Sequence, residues 1–209
     1  MKIISVSDSH GKHERLTIPP CDLFIHAGDF THCEPAQISD ILHFNAWLGK
    51  IPARQKIVIA GNHDRLFEGM YARYAQSIIT NAIYLRDSGT IISDEKGKDW
   101  SVWGSPYTPY YRNWSFNVQG EGIKRHWDMI PENTDILVTH GPPRGILDKA
   151  RGEHLGCPYL WDRVVQLKPK LHVFGHIHSG YGKAENRFIN AAVCDDTNQL
   201  IHPPIAHCT

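Results

Sequence analysis

The sequence predicts an α/β fold containing strands of both senses, and three observations predict it. Short apolar, β-branched runs recur along the chain. Helical patterns lie between them, and some later strand-like segments have no helix to separate them. The buried-strand candidates are 2–6, 23–27, 56–60, 136–139 and 171–174. The clearest helix covers 35–48, with Ile38, Ile41, Leu42 and Trp47 near one face and Pro35 suited to a first helical position. Further helical patterns cover 69–77, 121–129 and 158–167. Strands alternating with helices favour parallel pairing in the middle of the sheet. The segments 90–93, 100–104 and 187–193 point to an antiparallel part, so a mixed sandwich accommodates both.

At 209 residues, 41% hydrophobic and 21% charged, the chain can build a full-size core. No repeat or low-complexity linker divides it, so one domain over 1–209 is expected. Lysine plus arginine and aspartate plus glutamate both number 22, which leaves no net charge for gripping long nucleic acid or an anionic membrane. No apolar run approaches a membrane span, and the first residues enter a strand pattern instead of a leader peptide. The five cysteines include no Cys-x-x-Cys pair, which argues for reduced thiols and a cytoplasmic location. The unusual count is histidine, at 14.

Each of the five buried runs is followed by residues that bind metals or move protons. These are Asp8-Ser9-His10, Gly28-Asp29, Gly61-Asn62-His63-Asp64, His140-Gly141 and Gly175-His176-Ile177-His178. In open α/β sheets ligands gather beyond the carboxyl ends of strands, so these endings can converge. Asp8 and His10 are two apart, as are His176 and His178, so each pair can face one side of an extended segment. Gly28, Gly61 and Gly175 fit sharp exits or close backbone approach. Carboxylates, imidazoles and an amide without thiolate suit divalent Mn, Fe, Ni, Co or Zn. Seven such side chains exceed one tetrahedral site and suffice for two ions if Asp29 bridges them. A cavity holding two divalent ions attracts phosphate, and a hydroxide between the ions can attack phosphorus in line.

These five ordered blocks resemble the signature of the calcineurin-like metallophosphoesterases. The resemblance implies an αββα sandwich of two mixed sheets flanked by helices. It also implies one metal on Asp8, His10, Asp29 and His178 and a second on Asp29, Asn62, His140 and His176. His63 would stabilise the transition state or protonate the leaving oxygen, with Asp64 orienting its ring. A narrower likeness, carried by 104–106, 114–117, 130–132, 139–143, 154–157, 174–178, 180–182 and 203–204, is to the small metallophosphoesterase-domain phosphodiesterases. It implies a manganese-type dinuclear hydrolase of small, nucleotide-like or cyclic-nucleotide diesters. A phosphomonoesterase or phosphoprotein phosphatase, and a non-catalytic scaffold of the same fold, are the rival readings. His202 stands where the narrower group commonly has asparagine.

The stretch 103–116 holds six aromatic side chains with Arg112 and Asn113 among them. Such rings stack on a base or cap a core. Asn113, Trp114, Arg144 and His154 are the candidate substrate contacts, with His13 a further one. Oligomeric state is not legible in the sequence.

Overall fold

The computed structural model describes residues 1–32, 37–69 and 71–209. The first sheet takes β1 (Lys2–Val6), β2 (Cys21–His26), β3 (Ala53–Val58) and β4 (Ile83–Tyr84). The chain continues through β5 (Ser88–Ser93), β6 (Asp99–Ser105) and a small ribbon of β7 (Thr108–Pro109) and β8 (Asn117–Val118). Then come β9 (Ile136–Thr139), a second ribbon of β10 (Lys149–Ala150) and β11 (Glu153–His154), β12 (Leu171–Phe174), β13 (Gly182–Ala184), β14 (Phe188–Asn190) and β15 (Ile205–Cys208). The two large sheets run β15-β1-β2-β3-β4 and β13-β14-β12-β9-β6-β5. Parallel pairing joins β1 to β4, and likewise β6, β9, β12 and β14. Antiparallel strands close both edges of the second sheet and one edge of the first. The segment around 187–193 therefore differs from its antiparallel expectation. β14 lies parallel to β12 and antiparallel only to β13, because the chain crosses between β12 and β14 through β13.

Strand alternation explains the layers. Ile3, Leu23, Ile25, Ile57 and Ile59 of the first sheet pack against Val102, Ile136, Val138, Leu171 and Val173 of the second. Their sequence neighbours point outward: Ile4, Phe24 and Val58 meet the helix side of one sheet, and Leu137, Phe174 and Phe188 that of the other. Strands buried on both faces read as continuous apolar runs, which is why they were legible.

Helix α1 (Ile38–Lys50) covers the first sheet with Ile41, Phe44, Trp47 and Leu48. Leu42, expected on that face, is 53% exposed, since the i, i+3, i+7 spacing from Ile41 selects Phe44 and Leu48. Gln37 and Asp40 form a capping box at its start, and Pro35 lies outside the described residues. The region 69–77 is less regular than expected: a 3₁₀ turn, Ala72–Tyr74, leads into a single helical turn, α2 (Ala75–Ile78), and Met70 is not described. The expected helix 121–129 likewise splits into a 3₁₀ turn at Gly120–Ile123 and the short α3 (Lys124–Asp128), consistent with two glycines in the first turn. Helix α4 (Pro158–Leu167) matches the expected span; Cys157 caps it, Pro158 opens it, and Lys168 ends it in the left-handed conformation. Together α3 and α4 cover the second sheet through Trp127, Leu160 and Val164.

Candidate metal centre

Five parallel strands, β1, β2 and β3 of one sheet and β9 and β12 of the other, end at the same edge of the sandwich. There the sheets are stitched together: the Ser7 amide donates to the Ala191 carbonyl at 2.8 Å, and the Val193 amide to that of Ser7 at 3.0 Å. Sharp exits follow. Asp8, His10, Asp29 and His176 all sit at positive φ, between 42° and 67°. Non-glycine residues rarely adopt this conformation and it is costly, so its concentration on four candidate ligands marks a strained, functional corner. Gly61 permits a close approach, since a Cβ there would lie 2.6 Å from both the Asp29 amide nitrogen and His140 Cε1.

The residues brought together are acceptors facing acceptors. His140 directs Nδ1 to the Ala27 carbonyl at 2.8 Å, and its Nε2 meets Asn62 Oδ1 at 2.9 Å and Asp29 Oδ2 at 3.3 Å. His178 directs Nδ1 to the Asp195 carbonyl at 2.7 Å, while its Nε2 stands 3.4 Å from Nε2 of His10 and 3.3 Å from Asp8 Oδ1. A carbonyl on Nδ1 fixes the proton there and leaves the Nε2 lone pair for a cation, the usual support of a metal-binding histidine. Only a cation or a proton relieves such a cluster. The groups Asp8, His10, His178 and Asp8, Asp29, His140 each bring three ligand atoms within 4.8 Å of one another, a fit for divalent metal. Without metal, protons take its place. Burial pushes His140 down, but Asp29 outweighs it and raises its pKa to about 9. Burial likewise opposes the rise of His178 to about 9, which its hydrogen bond to Asp8 and the charge of Asp8 produce. Burial alone would raise Asp8 and Asp29; the facing imidazoles hold both well below the usual carboxylate range. Burial and the nearby His140 depress His176 to about 3. Its ring lies 5.0 Å from that of His140, and its amide donates to Asp8 Oδ2 at 2.9 Å.

His63 stands beside this cluster, its ring 5.2 Å from His10 and 5.1 Å from Trp114. Its backbone is clamped at both ends: the amide donates to Asp29 Oδ1 at 2.7 Å, and the carbonyl accepts from Thr31 Oγ1 at 3.1 Å. The resemblance made Asp64 the group that orients the His63 ring. The Asp64 carboxylate instead accepts from the amides of Asp29, Gly61 and Thr31 and from Thr31 Oγ1, at 2.8–3.0 Å. It braces the loops that carry Asp29 and Asn62. Burial and the charge of Asp29 raise its pKa to about 6.

Trp114 reaches the cleft, its ring 6.1 Å from that of His176. Asn113 takes part through its backbone, as its carbonyl accepts from Arg65 at 2.9 Å. Together with the Ser115 amide on the Asn62 carbonyl, that bond ties the aromatic stretch to the Asn62–His63 loop. The stretch is anchored behind by Tyr107, stacked at 3.6 Å on His126, which is itself bonded to Asp87 at 2.7 Å. Arg144 and His154 share a neighbouring loop. His13 is corrected: it is 2% exposed and packed on Phe44 and Trp47 of α1. Sequence reasoning missed the carbonyls of Ala27 and Asp195, which have no side-chain signature, and Asp148, which is bonded to His154 at 2.6 Å.

A two-sheet α/β sandwich with imidazoles and carboxylates gathered at one end defines a metal-dependent phosphoesterase. The chain belongs to the calcineurin-like phosphoesterase family, whose model matches residues 1–180. Metallophosphoesterase domain-containing protein 1 of Homo sapiens is 37% identical over 98% of this chain and 69% of its own length, and the Mus musculus protein of that name matches equally. A UPF0046 protein of Caenorhabditis elegans is 37% identical over 98% of this chain and 79% of its own. In fold, the chain is similar to the crystal structure of TT1561 of Thermus thermophilus, with a TM-score of 0.60 at 14% identity over 88% of this chain and 83% of that one. The family implies divalent metal ions, and no helix among the described residues is long and apolar enough to cross a membrane.

Proposed function

We propose that this chain, acting as one domain, is a two-metal phosphodiesterase of small, nucleotide-like esters. The observation that carries the reading is the set of lone pairs turned on one another from five strand ends, in two groups that share Asp8, with Asp29 beside His140 in the second. Asp8, His10, Asp29 and His178 would hold one ion, and Asp29, Asn62, His140 and His176 the other. When bound, the ions supply a water nucleophile at neutral pH and neutralise phosphoryl oxygens. Manganese is the first choice among Mn, Fe, Ni, Co and Zn for this nitrogen and oxygen donor set.

The chain's own residues do the rest. The Ala27 and Asp195 carbonyls hold His140 and His178 in the ligating tautomer. His63, with its backbone clamped to Asp29 and Thr31, holds the proton given to the leaving oxygen. Asp64 keeps the Asp29 and Asn62 loops in register. Trp114 walls the side of the cleft nearest His63 and His176, where an aromatic leaving group or base would stack. Asn113 sets the path of that wall, and Arg144 and His154 border the cleft. A cytoplasmic location agrees with a sequence that has no Cys-x-x-Cys pair.

The test compares an aryl phosphodiester with its matching monoester, using metal-stripped protein refilled with manganese. Diester turnover should require metal. Asp29→Ala should lose metal and turnover together, whereas His63→Ala should keep metal and turn over at least about a hundredfold more slowly. Equal metal loss in both variants removes the role given to His63. Preference for the monoester selects the phosphatase reading, and two bound metals with no turnover of either ester select the scaffold.

A further inference from the structure

One constellation outside the seven ligand positions is built like a working site. Asp148 is 1% exposed, and one of its oxygens accepts from Nδ1 of His154 at 2.6 Å. The other oxygen accepts from the amides of Gly145 and Gly156 at 2.9 and 3.0 Å. Burial pushes this carboxyl up, but the Gly145 amide, the His154 bond and the Gly156 amide prevail and hold it below its ordinary range. Asp148 orients the ring through Nδ1, leaving Nε2 as its remaining polar atom on a side chain 38% exposed. Arg144 lies along the same loop, its guanidinium donating to the His154 carbonyl at 3.3 Å. A structural turn needs the Asp148 carboxylate on two amides. It does not need an oriented, half-open imidazole beside an exposed guanidinium.

The loop is tied to the metal cleft on two sides. The Arg144 amide donates to the Cys157 carbonyl and the Cys157 amide to that of Pro142, which fixes it to the turn that follows His140. The Lys149 carbonyl accepts from Ser179 Oγ at 2.8 Å, which fixes it to the turn that carries His178. His154 pairs with Lys149 across the β10–β11 ribbon, one strand spacing of about 5 Å beyond that tie. The imidazole thus stands on a loop joined to the turns that carry His140 and His178.

We propose that His154 and Arg144 form an anion subsite on the rim of the metal cleft, which receives a second oxyanion group, carboxylate or phosphate, carried on the alcohol portion of the substrate. The inference rests on the phosphate-ester reading above and adds that preferred substrates bear a negative charge remote from the scissile bond. Both residues donate to an oxyanion, Arg144 through its fork and His154, in its ion pair with Asp148, through Nε2, and such charge-assisted contacts discriminate strongly against a neutral group.

The experiment uses the metal-loaded chain and three aryl phosphodiesters that differ only in the leaving ring: neutral, carboxylated and phosphorylated. In the unsubstituted protein the anionic esters should have a kcat/KM about tenfold above the neutral one, expressed mainly in KM. His154→Gln and Arg144→Gln should each lower that ratio severalfold, and the phosphorylated and carboxylated arms show which oxyanion the subsite prefers. Equal KM for all three esters, or a loss in the variants that is the same for neutral and anionic esters, overturns the subsite. If no ester is turned over, the phosphate-ester reading falls on its own. The subsite is then decided by the histidine ring resonances of metal-free protein titrated with inorganic phosphate. The signal that disappears in His154→Gln should shift, and should stop shifting in Arg144→Gln; a signal indifferent to phosphate overturns the proposal.

Discussion

Replacing Gly61 by alanine tests whether the proposed metal ligands are positioned by close backbone packing. Gly61 does not need a left-handed φ, so the added methyl acts through space alone. Its Cβ would lie 2.6 Å from the Asp29 nitrogen and 2.6 Å from His140 Cε1, where ordinary contacts are about 3.5–4.0 Å. Asp29 and His140 must therefore give way by about 1 Å, against a tolerance in metal–ligand distance of about 0.2 Å. Overpacking of this kind costs about 1–3 kcal/mol, and for a chain of this size about 2–4 °C of Tm per kcal/mol. Metal-free Gly61→Ala should thus melt about 2–12 °C lower. Added metal should also rescue it poorly: metal at a hundred times its Kd contributes about 2.7 kcal/mol to the unsubstituted protein, and a tenfold weaker site forfeits about half of that. The assay is thermal unfolding with and without manganese, with bound metal counted in parallel. Gly122→Ala is the control, since its Cβ would meet nothing nearer than Val118 Cγ1 at 3.4 Å. A Gly61→Ala protein with unchanged Tm and full metal content would refute the packing argument.

Other outcomes follow from the core and from the cleft wall. His172 is wholly buried between Phe174 and Phe188, and burial, with a smaller push from Arg187, depresses its pKa to about 3. Its unfolded form binds a proton below about pH 6.5, so its contribution to stability is complete above that pH and is lost as pH falls toward 3, by about 1.4 kcal/mol per pH unit. His172→Gln should flatten the denaturant-measured stability profile by that slope between pH 6 and 4; an unchanged slope contradicts the buried neutral imidazole. Phe44 is fully buried and stacked on Phe30 at 4.2 Å, so Phe44→Ala should cost about 3–5 kcal/mol in urea unfolding, and a loss under 1 kcal/mol would mean α1 packs otherwise. Trp114→Ala should raise KM for aryl esters by about tenfold while leaving bound metal unchanged, measured by steady-state kinetics beside metal counting; equal KM would place the ring outside the cleft.

The layers and the ligand blocks were legible because both depend on the side-chain sequence. A strand such as β9, with Ile136 and Val138 on one face and Leu137 on the other, declares its double burial in its composition. The Gly-Asn-His-Asp and Gly-His-Ile-His blocks declare themselves by residue type. What sequence reading missed depends on the backbone. The carbonyls of Ala27 and Asp195 that set two histidine tautomers are invisible in any pattern of letters. Asp64 was read as a partner for the neighbouring His63 ring, but the left-handed turn at Asp29 brings the Asp29 and Thr31 amides within its reach. The helical pattern over 69–77 is realised only as a 3₁₀ turn and one helical turn, with Ala75 the residue that reaches the core. His154 was legible as a histidine near a cleft, but its partner Asp148, six positions earlier, becomes its neighbour only when the β10–β11 ribbon closes.

The four left-handed corners at Asp8, His10, Asp29 and His176 have a consequence for how this chain tolerates change. Aspartate and histidine are less favoured there than glycine, and each such corner holds about 1 kcal/mol or more of backbone strain. Stability and metal binding therefore pull these positions in opposite directions. A ligand-to-glycine substitution relaxes a corner while it removes a ligand, so selection for robustness alone would erode the centre first and spare the sandwich. Inactive descendants that keep this fold are consequently a short mutational step away.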